Sequence, residues 1–359
     1  MLDLWSLNIL SLFSNVGFGE ALLNKSEFKV LFSNEIEENR CDLYKKLHPQ
    51  SSCICGDIAD YKIRSNLVNQ CLNHPEKIDL VIATPPCQGM SAANALKTPN
   101  DSRNLLIVYA LEIFNSINAK YMLIENVPQM PKTYINRNNC VVKISDYIKS
   151  AIPKEMEAIF YTLDSKNFGI PQSRKRSICL ISKSGEWKAP EFSKKSVTLR
   201  DAIGHLPSLG NGEASDLPWH FSPNHNSNHV RWMSATPEGQ TAFNNKVEYP
   251  KKDGRKIKGF MTTYKRMYWD KPASTVTMTN GSISSQNNVH PSDPRVLSIR
   301  ELLCVCGLPE NYLDKFAHFE NGNSFSYDYK PSFIRKVIGE IFLPQMCLSL
   351  LQSLPKNEK

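Results

Sequence analysis

The stretch Ile78-Asp79-Leu80-Val81-Ile82-Ala83-Thr84-Pro85-Pro86-Cys87-Gln88-Gly89 decides the fold of this chain of 359 residues. Its first six residues are a largely apolar run, typical of a strand buried in a parallel sheet. The two prolines end the strand, because proline lacks the N–H that a sheet ladder needs. Open α/β sheets bind their ligands beyond the carboxyl ends of parallel strands. Cys87 therefore lies where a nucleophile would stand, although most free cysteines are buried and inert.

A nucleotide-binding pattern precedes this stretch. It predicts a first strand over Asn8–Phe13, a glycine turn over Ser14–Gly19 and a helix over Glu20–Leu23. A second strand, Phe28–Ser33, ends close to Glu35. A glycine turn allows a ligand to approach the backbone, and an acidic residue about 20 positions later can bind two ribose hydroxyls. The order of these signals predicts a doubly wound sheet, although a solvated glutamate would also explain Glu35.

The alternation of helices and strands continues along the chain. Asn39–His48 has a helical pattern, and Asp57 follows a third short strand, where its carboxylate could accept a hydrogen bond from a base amino group. A helix that starts near Asp101 precedes the strand Tyr121–Ile124, which ends at Glu125. Because parallel strands end at one edge of a sheet, we expect this carboxylate beside the thiol. The alternation predicts an α/β domain with a mostly parallel sheet.

A basic segment follows this alternation. The pattern predicts an exposed loop over Gln129–Cys140 and a strand over Ser177–Ile181, which comes directly after Gln172-Ser173-Arg174-Lys175-Arg176. Strand alternation would place the side chains of Gln172, Arg174 and Arg176 on one side. Two arginines that point the same way can bind a phosphate or a base carbonyl.

The character of the chain changes near Gly185. From there to about Ser292 the helical periodicity is lost, and cations alternate with aromatic residues between residues 246 and 271. This mixture suits phosphate contacts and base stacking, and the formal net charge of +8 favours an anionic partner. A solvated irregular surface would explain the same composition. Regular structure returns with a helix capped by Ser298 and a last amphipathic helix over Pro331–Leu354.

Ten cysteines are scattered along the chain. Without a secretory signal pattern, this distribution predicts reduced thiols in a cytosol. Cys53-Ile54-Cys55 and Cys304-Val305-Cys306 have one intervening residue, whereas zinc motifs usually have about two to four, so we predict no metal site. Since no run of about 18 apolar residues is present, we also predict no membrane span.

Taken in order, these motifs resemble those of the DNA (cytosine-5)-methyltransferases over nearly the whole chain. The matching segments are Leu12–Gly19, Glu35, Asp57-Ile58, Pro85-Pro86-Cys87-Gln88-Gly89-Met90-Ser91, Glu125-Asn126-Val127, Gln172–Arg176, Asp270–Thr277 and Arg295–Glu301. Two positions depart from the family pattern: Asn15 replaces a usual glycine, and Glu340 replaces a usual asparagine. Asparagine tolerates left-handed backbone conformations, so the loop can form with Asn15.

The resemblance implies a Rossmann-like enzyme that takes a methyl group from S-adenosylmethionine. The substrate would be a cytosine flipped out of double-stranded DNA, with Cys87 adding to carbon 6 and the methyl group going to carbon 5. Glu125, Arg174 and Arg176 are the other implied catalytic residues. The implied cofactor-binding residues are Phe13, Ser14, Asn15, Val16, Gly17, Glu35, Ile36, Asp57, Ile58, Pro86 and Leu106.

The resemblance also implies how the chain is divided. A catalytic domain would comprise residues 1–188 and 326–359, a smaller irregular target-recognition domain residues 189–295, and a return segment residues 296–325. We expect a monomeric modification enzyme of a restriction–modification system, located in a bacterial cytoplasm and associated with the nucleoid through DNA. A cognate restriction endonuclease that acts on the same site can accompany such an enzyme.

Three alternatives stay open at this point. An RNA cytosine-5 methyltransferase could use the same fold, although the length of residues 189–292 argues against it. A nicotinamide-dependent oxidoreductase would leave Pro-Pro-Cys-Gln and Glu-Asn-Val unexplained. An inactive DNA-binding protein is disfavoured because Cys87 and Glu125 are both present.

Overall fold

The computed structural model describes residues 6–23, 27–90, 98–192, 196–322 and 324–355, and the chain divides into two units. Unit 1 comprises Met1–Asp164, Lys175–Glu191 and Pro344–Lys359; unit 2 comprises Ser165–Arg174 and Phe192–Leu343. Ser91, the last residue of the predicted nucleophile motif, lies outside the described residues.

A mixed sheet forms the centre of unit 1. The strands of the described residues are β1 (Leu7–Leu12), β2 (Phe28–Glu35), β3 (Ser52–Cys55), β4 (Leu80–Ala83), β5 (Tyr121–Asn126), β6 (Tyr134–Arg137), β7 (Cys140–Lys143), β8 (Met156–Asp164), β9 (Lys175–Lys183), β10 (Lys251–Lys252), β11 (Arg255–Lys256), β12 (Ala317–Asn321) and β13 (Ser324–Tyr327). Seven of them form one sheet in the order β3-β2-β1-β4-β5-β9-β8. Strands β1 to β5 are parallel, and β9 is antiparallel to β5 and β8. The predicted α/β class with a mostly parallel sheet is confirmed.

Helices pack against this sheet and also occur in unit 2. The helices of the described residues are α1 (Glu38–Leu47), α2 (Tyr61–Asn73), α3 (Leu106–Ile117), α4 (Ile144–Ala151), α5 (Leu199–Ile203), α6 (Ser227–Ser234), α7 (Ile299–Val305), α8 (Pro331–Gly339) and α9 (Pro344–Gln352). In the core of unit 1, Leu111 of α3 belongs to one buried apolar cluster with Val81 of β4 and Met122 of β5. Across the part of the chain that is described, no helix is long and apolar enough to cross a membrane.

Three predicted elements differ from the structure. The predicted helix over Glu20–Leu23 is instead a short 3-10 helix, Phe18–Glu20. The predicted loop over Gln129–Cys140 contains a 3-10 helix and part of the β6–β7 hairpin, in which Ile135 is buried. The predicted last helix is divided into α8 and α9, because Pro344 lacks the N–H that a continuous helix would need.

Unit 2 is largely irregular, and buried ion pairs hold it together. The side chain of Arg295 is completely buried, and its guanidinium lies 2.7 Å from Glu301 and 2.8 Å from Asp293. Glu301 also accepts a hydrogen bond from the main-chain N–H of Ser298, whose hydroxyl caps α7 as predicted. One carboxylate therefore serves both the helix cap and the buried guanidinium.

Helix α8 belongs to unit 2. Its Arg335 donates hydrogen bonds to Asn280 Oδ1 at 3.1 Å and to Leu297 O at 2.8 Å. The chain enters unit 1 again at Pro344, whereas the sequence suggested a return at residue 326. The partners of Arg335 are distant along the chain, so the sequence pattern does not predict these hydrogen bonds. The division into catalytic and recognition domains stays a prediction.

Glu20 is a buried carboxyl group between β1 and α1. Its oxygens accept hydrogen bonds from the hydroxyls of Ser11 and Tyr44. Burial raises the pKa of Glu20 to about 7, because desolvation disfavours the charged form more than these hydrogen bonds favour it. The folded protein therefore keeps this proton at pH values where the unfolded chain has lost it.

We expect the free energy of unfolding to fall as the pH rises from about 4.5 to about 7. The pKa of Glu20 is higher in the folded protein than in the unfolded chain, so protonation of Glu20 stabilises the fold. This stabilisation is complete below the unfolded pKa and is lost as the pH rises through the folded pKa. The loss is on the order of 3 kcal/mol. Glu20→Gln, which cannot ionise, should remove this pH dependence in urea titrations, whereas the exposed control Glu186→Gln should keep it. Identical profiles for the wild type and Glu20→Gln would contradict the assignment.

Candidate active site

The Pro-Pro-Cys segment lies beyond β4 and is held by a side chain of the neighbouring strand. Pro85 and Pro86 cannot donate to the sheet ladder. Asn126, the last residue of β5, donates from Nδ2 to Pro85 O at 2.9 Å. Cys87 is partly exposed, and its carbonyl accepts a hydrogen bond from the N–H of Met90 at 2.9 Å. The thiol is therefore presented on a short turn at the carboxyl edge of the parallel strands.

Glu125 and Arg176 form an ion pair at the same edge. Glu125 is the penultimate residue of β5, and Arg176 is the second residue of β9. The two side chains are neighbours because Asn126 of β5 pairs with Ser177 of β9. The distance from Arg176 Nε to Glu125 Oε1 is 2.7 Å, and the two side chains are only 14% and 10% exposed. A guanidinium in this position fixes the orientation of the carboxylate, and low exposure strengthens their attraction. The structure thus brings together a carboxylate and a cation that the sequence predicted for this site.

The predicted cofactor loop has the backbone shape that its sequence suggested. Phe13, Asn15 and Gly17 have φ angles of 59°, 52° and 78°, so Asn15 takes the left-handed conformation that a glycine would allow. Glu35 Oε2 accepts a hydrogen bond from the N–H of Asn15 at 2.9 Å. Its Oε1 accepts from the N–H groups of Ile36 and Glu37. Glu35 thereby joins the end of β2 to the loop after β1.

A mixed polar and apolar surface follows the next strand. The exposed Asp57 accepts a hydrogen bond from the N–H of Ala59 at 2.8 Å. Isoleucine is usually buried, but Ile36 is 58% exposed. Its side chain therefore offers an apolar surface that a flat ligand could cover. The remaining predicted cofactor residues also lie in unit 1, namely Ser14, Val16, Ile58, Pro86 and Leu106.

Arg174 is placed differently from the prediction. Strand β9 begins only at Lys175, so the predicted strand alternation of Gln172, Arg174 and Arg176 is wrong. The buried guanidinium of Arg174 donates to Val276 O at 2.7 Å and to Gly339 O at 3.1 Å, both in unit 2. The segment leaves the strand pattern because its polar groups bind main-chain atoms of unit 2. A catalytic role of Arg174 stays a prediction.

Two residues of this region were given no role by the sequence. Asn126 was quoted in a motif, but only the structure shows its bond to Pro85 O. His48, at the end of α1, has a ring nitrogen 2.9 Å from Gly17 O. An amide side chain directly after a strand-terminal glutamate was an available signal for Asn126. No local signal marks His48, since its partner lies in a different loop.

The chain matches known proteins over most of its length. The family model of the C-5 cytosine-specific DNA methylases matches residues 7–343. The Type II methyltransferase M1.HgaI of Avibacterium volantium is 38% identical over 350 residues, which are 93% of this chain and 94% of that protein. The Type II methyltransferase M1.HphI of Haemophilus parahaemolyticus is 29% identical over 317 residues, covering 86% of this chain and 79% of that protein.

A solved structure shares the fold. A prophage-encoded protein of E. coli, described as a DNA modification methyltransferase, superimposes with a TM-score of 0.67 at 19% identity. The superposition covers 97% of this chain and 98% of that one. At this level of identity the likeness concerns the fold.

Gly17→Ala should destabilise unit 1 by about 1–3 kcal/mol. A Cβ at this position would collide with the ring of His48 and come within 2.8 Å of Tyr44, and the φ of 78° is unfavourable for alanine. Gly169→Ala is a matched control, because Gly169 has a φ of 72° but nothing within 4 Å of an added Cβ. Urea denaturation should show the larger loss for Gly17→Ala, and equal losses would contradict the steric argument.

Proposed function

The chain belongs to the C-5 cytosine-specific DNA methylase family, and we propose that Cys87 is the nucleophile with which it attacks cytosine. The protein is a DNA (cytosine-5)-methyltransferase that uses S-adenosylmethionine. The family model and the Type II relatives favour DNA over RNA as the substrate. The observation that supports the role of Cys87 is its partly exposed position at the sheet edge that carries the Glu125–Arg176 pair.

Cys87 solves a chemical problem of the substrate. Carbon 5 of cytosine is not nucleophilic enough to take a methyl group directly. Addition of the Cys87 thiolate to carbon 6 makes carbon 5 part of an electron-rich enamine, which divides one difficult step into two easier ones. S-adenosylmethionine supplies the methyl group. Loss of the carbon-5 proton and of the sulfur then restores the aromatic ring and the free thiol.

Glu125 and Arg176 suit the charge that develops during this addition. As sulfur adds to carbon 6, electron density moves toward ring nitrogen 3 and the carbonyl at carbon 2. We assign Glu125 to nitrogen 3, where its carboxyl group can share a proton, and Arg176 to the carbonyl oxygen. Their separation of 2.7 Å keeps both groups ready without reorganisation. The hydrogen bonds of Arg174 to main-chain carbonyls favour a positioning role for that residue.

The residues present fit the cofactor. Three main-chain N–H groups orient the Glu35 carboxylate, which is the group type that binds ribose hydroxyls at the end of a second strand. The exposed side chain of Ile36 offers an apolar face for an adenine ring, and Asp57 offers an acceptor for its amino group. The positive φ angles of Asn15 and Gly17 let main-chain groups of the loop approach a ligand.

A basic hairpin of unit 2 suits contact with DNA phosphates. It is formed by β10 and β11, and its turn residues Asp253 and Gly254 both have the positive φ that a tight hairpin turn needs. Lys251, Lys252 and Arg255 are exposed, and within the described ranges no carboxylate forms an ion pair with them.

Exposed aromatic and apolar side chains lie in the same stretch of the chain. Lys256 Nζ is 4.6 Å from the centre of the Tyr249 ring, and Phe260 is 82% exposed. Rings of this kind can stack on bases when the cytosine is flipped out. We therefore assign DNA recognition to residues 189–295, with residues 1–188 and 326–359 as the catalytic part and residues 296–325 as the return segment.

The Type II relatives support a role in restriction–modification. We propose that the protein protects host DNA from a cognate endonuclease of the same specificity, and that one chain acts as a monomer. Bisulfite sequencing of DNA from cells that express the protein would identify the methylated site. The absence of any methylated cytosine in the presence of folded protein would contradict the proposal.

Cys87→Ala should reduce the rate of methylation by at least about a thousandfold, while DNA binding persists. The wild type should form a covalent adduct with duplex DNA that carries 5-fluorocytosine at the target, because the fluorine cannot leave as a proton does. Denaturing gel electrophoresis detects this adduct. The control Cys140→Ala removes an exposed thiol of β7 and should leave both results unchanged. An adduct formed by Cys87→Ala would contradict the nucleophile assignment.

Simultaneous replacement of Lys251, Lys252 and Arg255 by alanine should weaken DNA binding and reduce its salt dependence. The slope of log affinity against log salt should fall by about 0.9 for each lost phosphate contact. A control with the same charge change replaces the exposed Lys77, Lys154 and Lys183 by alanine. These lysines belong to unit 1 and lie near the edge of its sheet that is opposite to Cys87 and Glu125. Fluorescence anisotropy at several salt concentrations measures both variants, and an unchanged slope for the hairpin variant would place the phosphates elsewhere.

A further inference from the structure

Three thiols form a cluster at the edge of the sheet in unit 1. Cys53 and Cys55 are two residues apart on the edge strand β3, so their side chains lie on the same face. Cys41 of α1 covers that face, where it packs with Cys53 in one buried cluster against which Cys55 also packs. Cys41 and Cys53 are buried, whereas Cys55 is partly exposed. We call these three residues the thiol cluster.

The thiol cluster contacts the main chain at the proposed ribose site. Cys41 Sγ donates to Glu35 O at 3.4 Å, and Cys55 Sγ donates to Ile36 O at 3.8 Å. The carboxylate of Glu35 in turn accepts hydrogen bonds from the N–H groups of Asn15, Ile36 and Glu37. Two S–H groups of the cluster therefore help to place the residues that we assign to the cofactor.

The cluster is not arranged for a metal ion. Among the residues that the structure describes, no group of three or more His, Cys, Asp or Glu side chains could hold one. Thiols in mutual contact can instead undergo thiol–disulfide exchange, provided that one of them is reachable and one can lose its proton. Cys55 is reachable, and the adjacent Cys41 thiol together with the nearby charge of Lys45 lowers the pKa of Cys53.

We propose that the thiol cluster is an oxidation site, in which Cys41 and Cys55 form a disulfide that weakens the binding of S-adenosylmethionine. The oxidant is a small disulfide of the glutathione type. The effect on the cofactor rests on the proposed function of Glu35 and Ile36, whereas formation of the disulfide does not.

The exchange is balanced in two steps. The Cys55 thiolate attacks the small disulfide, its S–S bond breaks, and one small thiol leaves after taking up a proton. Cys41 then attacks Cys55 Sγ, the bond between Cys55 and the small sulfur breaks, and the second small thiol leaves with the proton that Cys41 gives up. Two protein thiols lose two electrons in total, and the small disulfide is reduced to two thiols. Neither sulfur then carries the S–H that bonded Glu35 O or Ile36 O.

The test uses the full-length Cys87→Ala protein, so that a modified nucleophile cannot affect the readout. Oxidised glutathione is added, and peptide mass mapping without reductant should find Cys41 linked to Cys55. Calorimetric titration with S-adenosylmethionine should show at least a tenfold weaker affinity, restored by dithiothreitol. Adding Cys55→Ser, which keeps a hydroxyl donor toward Ile36 O, should abolish both effects. Adding Cys140→Ser instead removes an exposed thiol outside the cluster and should change neither.

Several outcomes would overturn the proposal. Failure to find the linked peptide, under conditions that attach glutathione to Cys140, would exclude the oxidation site. A link between Cys41 and Cys53 would overturn the assignment of Cys55. A complete link without a change in affinity, in protein with an unaltered circular dichroism spectrum, would overturn the coupling. Normal binding of the cofactor by Glu35→Gln would refute the role of Glu35 but leave the oxidation site standing, so the two failures are distinguishable.

Discussion

The hydrogen bond from Asn126 Nδ2 to Pro85 O is the interaction on which the candidate site depends. Two consecutive prolines remove two N–H donors from the end of β4, so the ladder between β4 and β5 cannot continue. The side-chain amide of Asn126 instead donates to the carbonyl of Pro85, so the segment stays bound to β5 without the ladder. It ties the turn that carries Cys87 to the strand that carries Glu125, one residue earlier. The Cys87 thiol and the Glu125 carboxylate are therefore positioned by one local constraint.

Buried guanidinium groups in unit 2 likewise donate hydrogen bonds to main-chain carbonyls outside regular ladders. Its irregular segments contain many carbonyls that no regular ladder satisfies, and a guanidinium offers five donors in a rigid fork. Arg174, Arg266 and Arg335 donate to main-chain carbonyls from buried positions. Arg295 donates to main-chain carbonyls as well and is also paired with two carboxylates. Removing a partner from such a buried pair typically costs about 3–5 kcal/mol, since it leaves an unpaired buried charge.

Features that depend on local chemistry could be predicted from the sequence. The cap at Ser298 and the left-handed conformation of Asn15 follow from residue type and near neighbours, and both are present. The position of Glu125 at a strand end followed from an apolar run that stops at a charge. The role of Arg174 could not be read in this way, because Val276 and Gly339 lie 102 and 165 positions further along the chain.

The sequence by itself determined the class of the fold, which residues stand at the ends of the strands, and the family of the enzyme. These depend on hydrophobic periodicity, proline and glycine positions and motif order, all of which are local properties of a chain. Only the tertiary structure decided that Arg176 pairs with Glu125 while Arg174 binds main-chain atoms, and that Cys41, Cys53 and Cys55 pack together. Those outcomes depend on which distant polar groups packing brings within hydrogen-bond distance, and a linear pattern contains no such distances.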